Sequence, residues 1–317
     1  VRVLVTGATG YIGSRLVPEL VKAGHEVVVG ARDTGKIEAY PWSTDVEARE
    51  FDVTDAGVVR RAVRGIDAVI YLIHSMGGDD FVTHDREAAH AVAAACDDEG
   101  VARVVYLSGL VPDTDDLSDH LASRLEVEEI LLEASTPAIV LRAAMVIGAG
   151  STSYELLNRL TARVPVTPVP TWMRRRVQPV AVEDVILTIR EALESGDSTL
   201  DRHYDLGGDR VIAYPDLIAT MARLQGHRRP QVVIPFVPQW VVGRMAALIA
   251  GMSMTETTSL IESLRHDMVC SEDAVRRELL PADHEFVELE ESLRRAMAPT
   301  EEGTEATGDP LASAPTD

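Results

Sequence analysis

Lysine is almost missing from this chain. Only Lys22 and Lys36 stand among 30 basic residues, against 51 acidic ones, for a formal charge of -21. A surface so short of cations cannot neutralise a phosphate backbone, which excludes nucleic acid as a partner. A charge of this size exceeds what solubility asks for and predicts a protein kept hydrated by carboxylates in concentrated salt; an ordinary acidic surface is the plainer alternative. Cysteine is scarce too. Cys96 and Cys270 are far apart and lack metal-ligand spacing, which argues against a disulfide framework or a metal site and predicts two reduced thiols in a cytoplasmic protein. Long hydrophobic runs are also lacking. The longest apolar stretch, Pro235 to Met254, is interrupted by Gln239, Arg244 and a second proline, and reads as a buried or lid helix rather than a transmembrane segment. The chain opens directly on an apolar strand, which predicts no secretory leader, and no internal repeat is present.

What is present is apolar material enough for a large core, with 46% hydrophobic residues over 317 positions. The decisive stretch is Val1 to Gly13, VRVLVTGATGYIG. Its apolar, β-branched start is the pattern of a strand buried on both faces. Gly7, Gly10 and Gly13 follow at three-residue spacing, and an amphipathic helix begins at once, from about Tyr11 to Ala23. A strand turning tightly into a helix aims unpaired backbone N–H groups at an anion. Gly7 permits the turn, Gly10 admits a pyrophosphate, and Gly13 lets helix and strand pack closely. A dinucleotide is the expected ligand, held by Gly7, Thr9, Gly10, Tyr11, Ile12 and Gly13.

The string TGATGYIG resembles the N-terminal signature of the short-chain dehydrogenase/reductase superfamily, in its extended and atypical branches. More narrowly, the chain is similar to NmrA-like NAD(P)H-binding proteins, often named nucleoside-diphosphate-sugar epimerases. The resemblance implies an α/β Rossmann fold, a doubly wound parallel sheet of six or seven strands. A smaller, mostly helical lobe would complete it. The expected division is 1–143 for the cofactor domain (completed by parts of the later chain), 144–297 for the substrate lobe, and 298–317 for a disordered acidic tail rich in Pro, Thr, Glu and Gly.

The second strand, Glu26 to Gly30, leads into Ala31-Arg32-Asp33. An acid at this tip ordinarily accepts from the ribose hydroxyls. Arg32, with Lys36 four residues on, suits a 2′-phosphate instead, favouring NADP with NAD as the alternative; Asp33 keeps the ribose reading open. In the family resembled, an Asp-Val pair after the third strand lies against the adenine, which would give that role to Asp52 and Val53; equally, Asp52 or Thr54 caps the next helix. The run Asp67 to Ile73 reads as a fourth parallel strand. It ends in the His74 to Gly78 loop, placing Leu72 and His74 at the ligand edge of the sheet. The long helix after it carries many alanines, suited to close packing within a monomer or across a homodimer. His84 and His90 on that helix read as solvated or half-buried rather than as metal ligands, and no metal is expected.

Ordinary members of the superfamily carry a Ser at the end of the fifth strand and a Tyr-x-x-x-Lys opening the next helix. Ser108 matches, whereas the Tyr position holds His120 and the Lys position Arg124. The i,i+4 spacing survives, so both side chains share a helix face. The resemblance implies Ser108, His120 and Arg124 as the catalytic set of an oxidoreductase on an unidentified small carbonyl or alcohol, with His120 kept neutral by Arg124. Loss of the Tyr-Lys pair equally implies a non-catalytic NAD(P)H-binding regulator or a respiratory-complex-type accessory subunit. A sugar-nucleotide epimerase or dehydratase is the third reading. Two later motifs belong to the same resemblance: Leu141-Arg142 with Val146-Ile147-Gly148, and Gln178-Pro179-Val180 with Asp184-Val185. Asp184 reads as a helix-start acid favoured by the macrodipole. Arg174-Arg175-Arg176 reads either as an anion clamp or as a solvated run.

Overall fold

The computed structural model describes residues 1–74, 81–114, 117–197, 200–235 and 237–298. The expected acidic tail, most of the loop after His74 and part of the loop before residue 117 lie outside the described residues.

Strand β1 (Arg2–Thr6) sends Val3 and Val5 into one apolar core and Leu4 into another. Burial on both faces is what its unbroken apolar run requires. Helix α1 (Tyr11–Lys22) buries Leu16, Val17 and Leu20 on the first core, and β2 (Glu26–Ala31) and β3 (Glu47–Glu50) extend the sheet. Helix α2 (Ala56–Val63) is capped by Asp55, whose carboxylate accepts from the Gly57 and Val58 N–H groups. This corrects the expected cap: Asp52 instead accepts from the Thr54 N–H and hydroxyl at 3.0 and 2.7 Å, a local turn ahead of the helix. Strand β4 (Ala68–Tyr71) stops two residues short of the apolar run, because the Leu72 N–H turns to the Thr6 hydroxyl at 3.2 Å.

Helix α3 (Phe81–Glu99) buries Ala88, Ala89, Ala93 and Ala95 within the chain itself, and leaves His84 and His90 exposed. Strand β5 (Arg103–Gly109) is followed by α4 (Asp119–Glu133), capped by Ser118. After β6 (Ala138–Ala143) come β7 (Val146–Ile147), α5 (Thr152–Arg163), β8 (Thr167–Pro170), β9 (Arg176–Val177) and β10 (Val180–Ala181). Helix α6 (Val182–Glu194) and strand β11 (Arg202–Leu206) return to the main sheet. The former packs on the core of α1, and the latter pairs with β6. Strand β12 (Ile212–Ala213), helix α7 (Tyr214–Leu224), strand β13 (Gln231–Ile234) and helices α8 (Gln239–Ala250), α9 (Met254–Ser263) and α10 (Leu289–Met297) complete the chain.

The main sheet has the order β3-β2-β1-β4-β5-β6-β11, parallel throughout. Helices α1 and α6 cover one face and α2, α3 and α4 the other. This is the doubly wound arrangement expected from the sequence, with seven strands. Its topological switch lies between β1 and β4, where such sheets bind ligands beyond the carboxyl ends of the strands.

Near the C-terminus, residues 271–279 hold only one wide turn, Val275–Leu279, and the last helix begins at Leu289. Upstream of Leu289 the backbone donors are engaged elsewhere: the Val287 N–H by Asp184 at 3.0 Å, and the Leu289 N–H by Asp209 at 3.1 Å. Both cysteines are free, and burial pushes each thiol up to about 12. Among the described residues, no helix is long and apolar enough to cross a membrane.

Candidate functional site

The loop joining β1 to α1 is built by two glycines with separate duties. Gly7 sits at φ +70°, in the left-handed region that side chains rarely adopt. Gly13 faces backbone so closely that a Cβ there would collide with the Gly7 carbonyl and lie 2.6 Å from the Ala8 Cα. Gly10 differs. A Cβ on it would meet only the Gly7 carbonyl oxygen, at 3.3 Å, with open space beyond. Gly10 therefore leaves a cradle at the start of α1, where the N–H groups of the first turn are without helical partners. That open face and those donors fit the pyrophosphate of a dinucleotide.

The cradle opens into a cavity of about 1110 Å3, larger than the roughly 300–1,000 Å3 of a site for one small molecule. Gly7, Thr9, Gly10, Tyr11, Ile12, Gly13, Arg32, Leu72, His74, Ser108, His120 and Arg124 all line it. The sheet edge thus brings together twelve of the residues singled out from the sequence. Lys36, Asp52 and Val53 are not among the lining. Lys36 lies on an exposed turn, Thr34–Ala39, and Val53 packs against the second core. Asp52 is close enough to Arg32 for that guanidinium to help hold its carboxyl below the usual range, after the larger effect of its two bonds from Thr54. Asp33 is engaged locally, accepting from the Gly35 N–H at 3.0 Å as the cap of the same turn.

Arg124 lies one helical turn beyond His120, and its Nε donates to His120 Nε2 at 3.1 Å. Desolvation, reinforced by this guanidinium, lowers the His120 imidazole to about 4. The His74 ring stands edge-on to His120, with centroids 6.5 Å apart. It lines the cavity with its surface accessible, and Arg124, then desolvation, then His120 lower it to about 3. Both rings are neutral at pH 7, and with Nε2 accepting, the His120 proton resides on Nδ1. Ser108 Oγ is buried without a hydrogen-bond partner of ordinary geometry. Burial raises the nearby Tyr106 phenol, with Arg124 and the Ser108 hydroxyl pulling the other way.

Helix α4 is fixed in place from behind. Arg142 on β6 makes a two-pronged ion pair with the buried Glu128, Nε to Oε2 at 2.9 Å and Nη2 to Oε1 at 2.7 Å. Ser123 donates to the buried Asp85 of α3 at 3.1 Å. These ties set the height of His120 and Arg124 over the end of β5. The Val146-Ile147-Gly148 motif acts on the other side: a Cβ on Gly148 would collide with the Tyr11 hydroxyl and lie 2.7 Å from Val182. Arg15 adds a link that sequence reading missed. Wholly buried, it donates to the Tyr11 and Ala149 carbonyls at 3.1 and 2.8 Å and stacks on the Tyr11 ring. An arginine on the apolar face of α1 was its only sequence signal.

Asp184 and the arginine run stand apart from the cavity. Asp184 is buried, accepting from His284 Nε2 at 3.1 Å and from the Val287 N–H, so it ties down the C-terminal segment rather than merely favouring a helix start. Arg174, Arg175 and Arg176 are exposed and outside the lining, with Arg176 paired to Asp267 at 2.8 Å. The other half of the cavity is walled by α5, α7, α8 and α9, of which only α8 lies wholly within the apolar stretch Pro235 to Met254.

Residues 7–162 match the family described as NAD(P)H-binding. Among curated relatives, the mitochondrial NADH dehydrogenase [ubiquinone] 1 alpha subcomplex subunit 9 of Arabidopsis thaliana is 26% identical over 248 residues, covering 74% of this chain and 58% of that protein. The ceramide reductase of Caulobacter vibrioides is 31% identical over 188 residues, covering 57% of each. The chain thus spans less than three fifths of these relatives' length. Among solved structures, the Citrobacter sp. triphenylmethane reductase complexed with NADP(H) superposes with a TM-score of 0.74 at 17% identity, covering 94% of this chain and all of that one. At that identity the likeness is one of fold. Residues 7–162, which carry the glycine cradle together with Ser108, His120 and Arg124, thus resemble the NAD(P)H-binding family, within a fold shared with the triphenylmethane reductase.

Proposed function

We propose that the chain is an NADP(H)-dependent oxidoreductase that interconverts a carbonyl compound and its alcohol. The observation that carries this reading is one cavity joining the glycine cradle to Ser108, His120 and Arg124. The cradle residues, with Leu72 and His74, take the cofactor's pyrophosphate and nicotinamide half, and Asp52 and Val53 border its adenine end. Arg32, which lines the cavity, supports a 2′-phosphate, with Lys36 on the next turn. Asp33 spends one carboxylate oxygen as a turn cap, and the other stays open to a ribose hydroxyl, the alternative in which NAD is the cofactor.

A bound nicotinamide supplies or takes up the hydride at the substrate carbon. The chain's own groups act on the oxygen. Neutral His120, with its proton on Nδ1, acts as a hydrogen-bond donor that polarises the carbonyl, and Arg124 offsets the negative charge that develops there. The Ser108 hydroxyl offers a second donor, and the proton completing the alcohol comes from solvent. The reverse reaction runs through the same contacts, with the alcohol's proton lost to solvent while His120 and Arg124 stabilise the alkoxide. His120→Ala tests the reading. Turnover of NADPH with a panel of carbonyl compounds should fall by roughly 10²–10⁴-fold while NADPH affinity is kept. Unchanged turnover would remove His120 from the chemistry.

A second reading is a non-catalytic NAD(P)H-binding subunit or regulator. It is supported by the relative named as a subunit of NADH dehydrogenase and by the missing Tyr-Lys pair. In that case NADPH binds, none of the panel oxidises it, and His120→Ala changes nothing measurable. The epimerase or dehydratase reading is the weakest, since the same Tyr-Lys pair is absent.

A further inference from the structure

The cavity has two ends of opposite character. The only formally charged residues among its described lining are Arg32 and Arg124, at the cofactor end, and Glu256 on α9, whose carboxylate would repel rather than hold an anion. The far half is walled by Leu156 and Leu160 of α5, Ile218 of α7, Val242 and Ile249 of α8 and Leu260 of α9. Leu160, Ile218, Ile249 and Leu260 retain accessible surface, so this wall presents apolar groups to the cavity. The apolar lining continues to the outside. Met245 lines the cavity and is 56% exposed, and Leu248, its neighbour one turn along α8, is 75% exposed. A substrate entering over this rim meets little that would hold a charge.

We propose that the substrate is a carbonyl or alcohol carried on a large hydrocarbon body, of lipid size, and that sugar nucleotides are excluded. The inference rests on the oxidoreductase reading for the reacting group, and on the far wall alone for the body. A nucleoside diphosphate in that half would carry two negative charges into apolar surroundings, with no lysine or arginine among the described lining of that half to meet them. A hydrocarbon body meets like surface instead. Each methylene buried should tighten binding by roughly fourfold until the wall is filled.

The test is a titration of the whole chain with the neutral fluorescent probe N-dodecyldansylamide, with and without NADPH. The probe is then displaced by the 2-ketones from 2-octanone to 2-tetradecanone and by UDP-glucose. The expected result is saturable probe binding, ketones that compete better as they lengthen, and no displacement by UDP-glucose. Leu160→Lys should weaken the probe at least tenfold and leave NADPH affinity unchanged. Ile249→Phe, which fills the wall without charging it, should shorten the longest ketone that competes, and serves if the lysine variant does not fold. Displacement by UDP-glucose, flat dependence on chain length, or probe binding indifferent to both substitutions would overturn the proposal. NADPH binding without probe binding overturns this inference alone. Probe binding with the expected ketone series but without NADPH binding removes the cofactor reading and leaves the apolar ligand supported.

Discussion

Arg124 Nε donates to His120 Nε2 at 3.1 Å across one turn of α4. The bond determines what the pair does. It occupies the lone pair a base would use, and it places a permanent cation beside an imidazole already disfavoured as a cation by desolvation. Replacing Arg124 by Gln should raise the His120 pKa from about 4 toward the ordinary 6.5 without reaching it, because desolvation is the larger cause. NMR titration of the imidazole signals measures this directly. A value near 6.5 in the unsubstituted protein would contradict the geometry.

Acid should weaken the fold through the same cluster. His120 and His74 are lowered to about 4 and about 3 when folded. Between those values and about 6.5 the unfolded chain binds more protons than the native one, so stability rises with pH across that window. Their contribution is intact above about pH 6.5 and is lost as the pH falls toward 4 and below. Urea unfolding at pH 7.5 and pH 4.5 should show a smaller acid loss in a His74→Asn, His120→Asn double variant. An equal loss would place acid sensitivity elsewhere.

Two glycines of the cradle should fail in different ways. Gly13→Ala forces a Cβ into backbone and should cost about 1–3 kcal/mol of stability. Gly10→Ala meets one carbonyl oxygen at 3.3 Å and should leave stability within about 1 kcal/mol, while weakening NADPH binding at least tenfold. Thermal unfolding and a cofactor titration on both variants separate the roles. Cofactor affinity preserved in Gly10→Ala would mean that the pyrophosphate lies elsewhere.

Asp184 anchors the segment leading into α10. Asp184→Ala leaves the Val287 N–H and His284 without their acceptor and should cost roughly 1–3 kcal/mol. Limited proteolysis should cut around residues 281–288 faster in the variant, with NADPH affinity little changed. Protection equal to that of the unsubstituted chain would contradict the tie.

The sheet and its carboxyl edge were legible because their signals are local: an unbroken apolar run for each buried strand, and three glycines at fixed spacing from the end of β1 into the first turn of α1. That Ser108, His120 and Arg124 would face one cavity was legible through their spacing against a known pattern. Roles that depend on distant partners were not. The Arg142–Glu128 pair, the link from Arg15 to Ala149 and the seating of Gly148 on Tyr11 each join residues remote in sequence. Gln178 illustrates the same point. It donates to the Gly208 carbonyl at 3.1 Å and accepts from the Cys270 N–H at 3.2 Å, so a motif familiar by resemblance holds three segments together. The apolar far wall was foreshadowed only by the run from Pro235 to Met254, since its other contributors come singly from separate helices.

The most direct measurement is a titration of the folded chain with NADPH and, separately, NADH in molar potassium chloride, following reduced-nicotinamide fluorescence. The salt matches the environment that the carboxylate-rich surface suggests. Saturable binding of NADPH, at least tenfold tighter than NADH and reduced by Arg32→Ala, is the predicted result. Tighter NADH binding would assign the ribose to Asp33 and remove the 2′-phosphate role of Arg32. No binding of either cofactor to a folded sample would contradict the central claim, leaving the glycine cradle as a turn without a ligand.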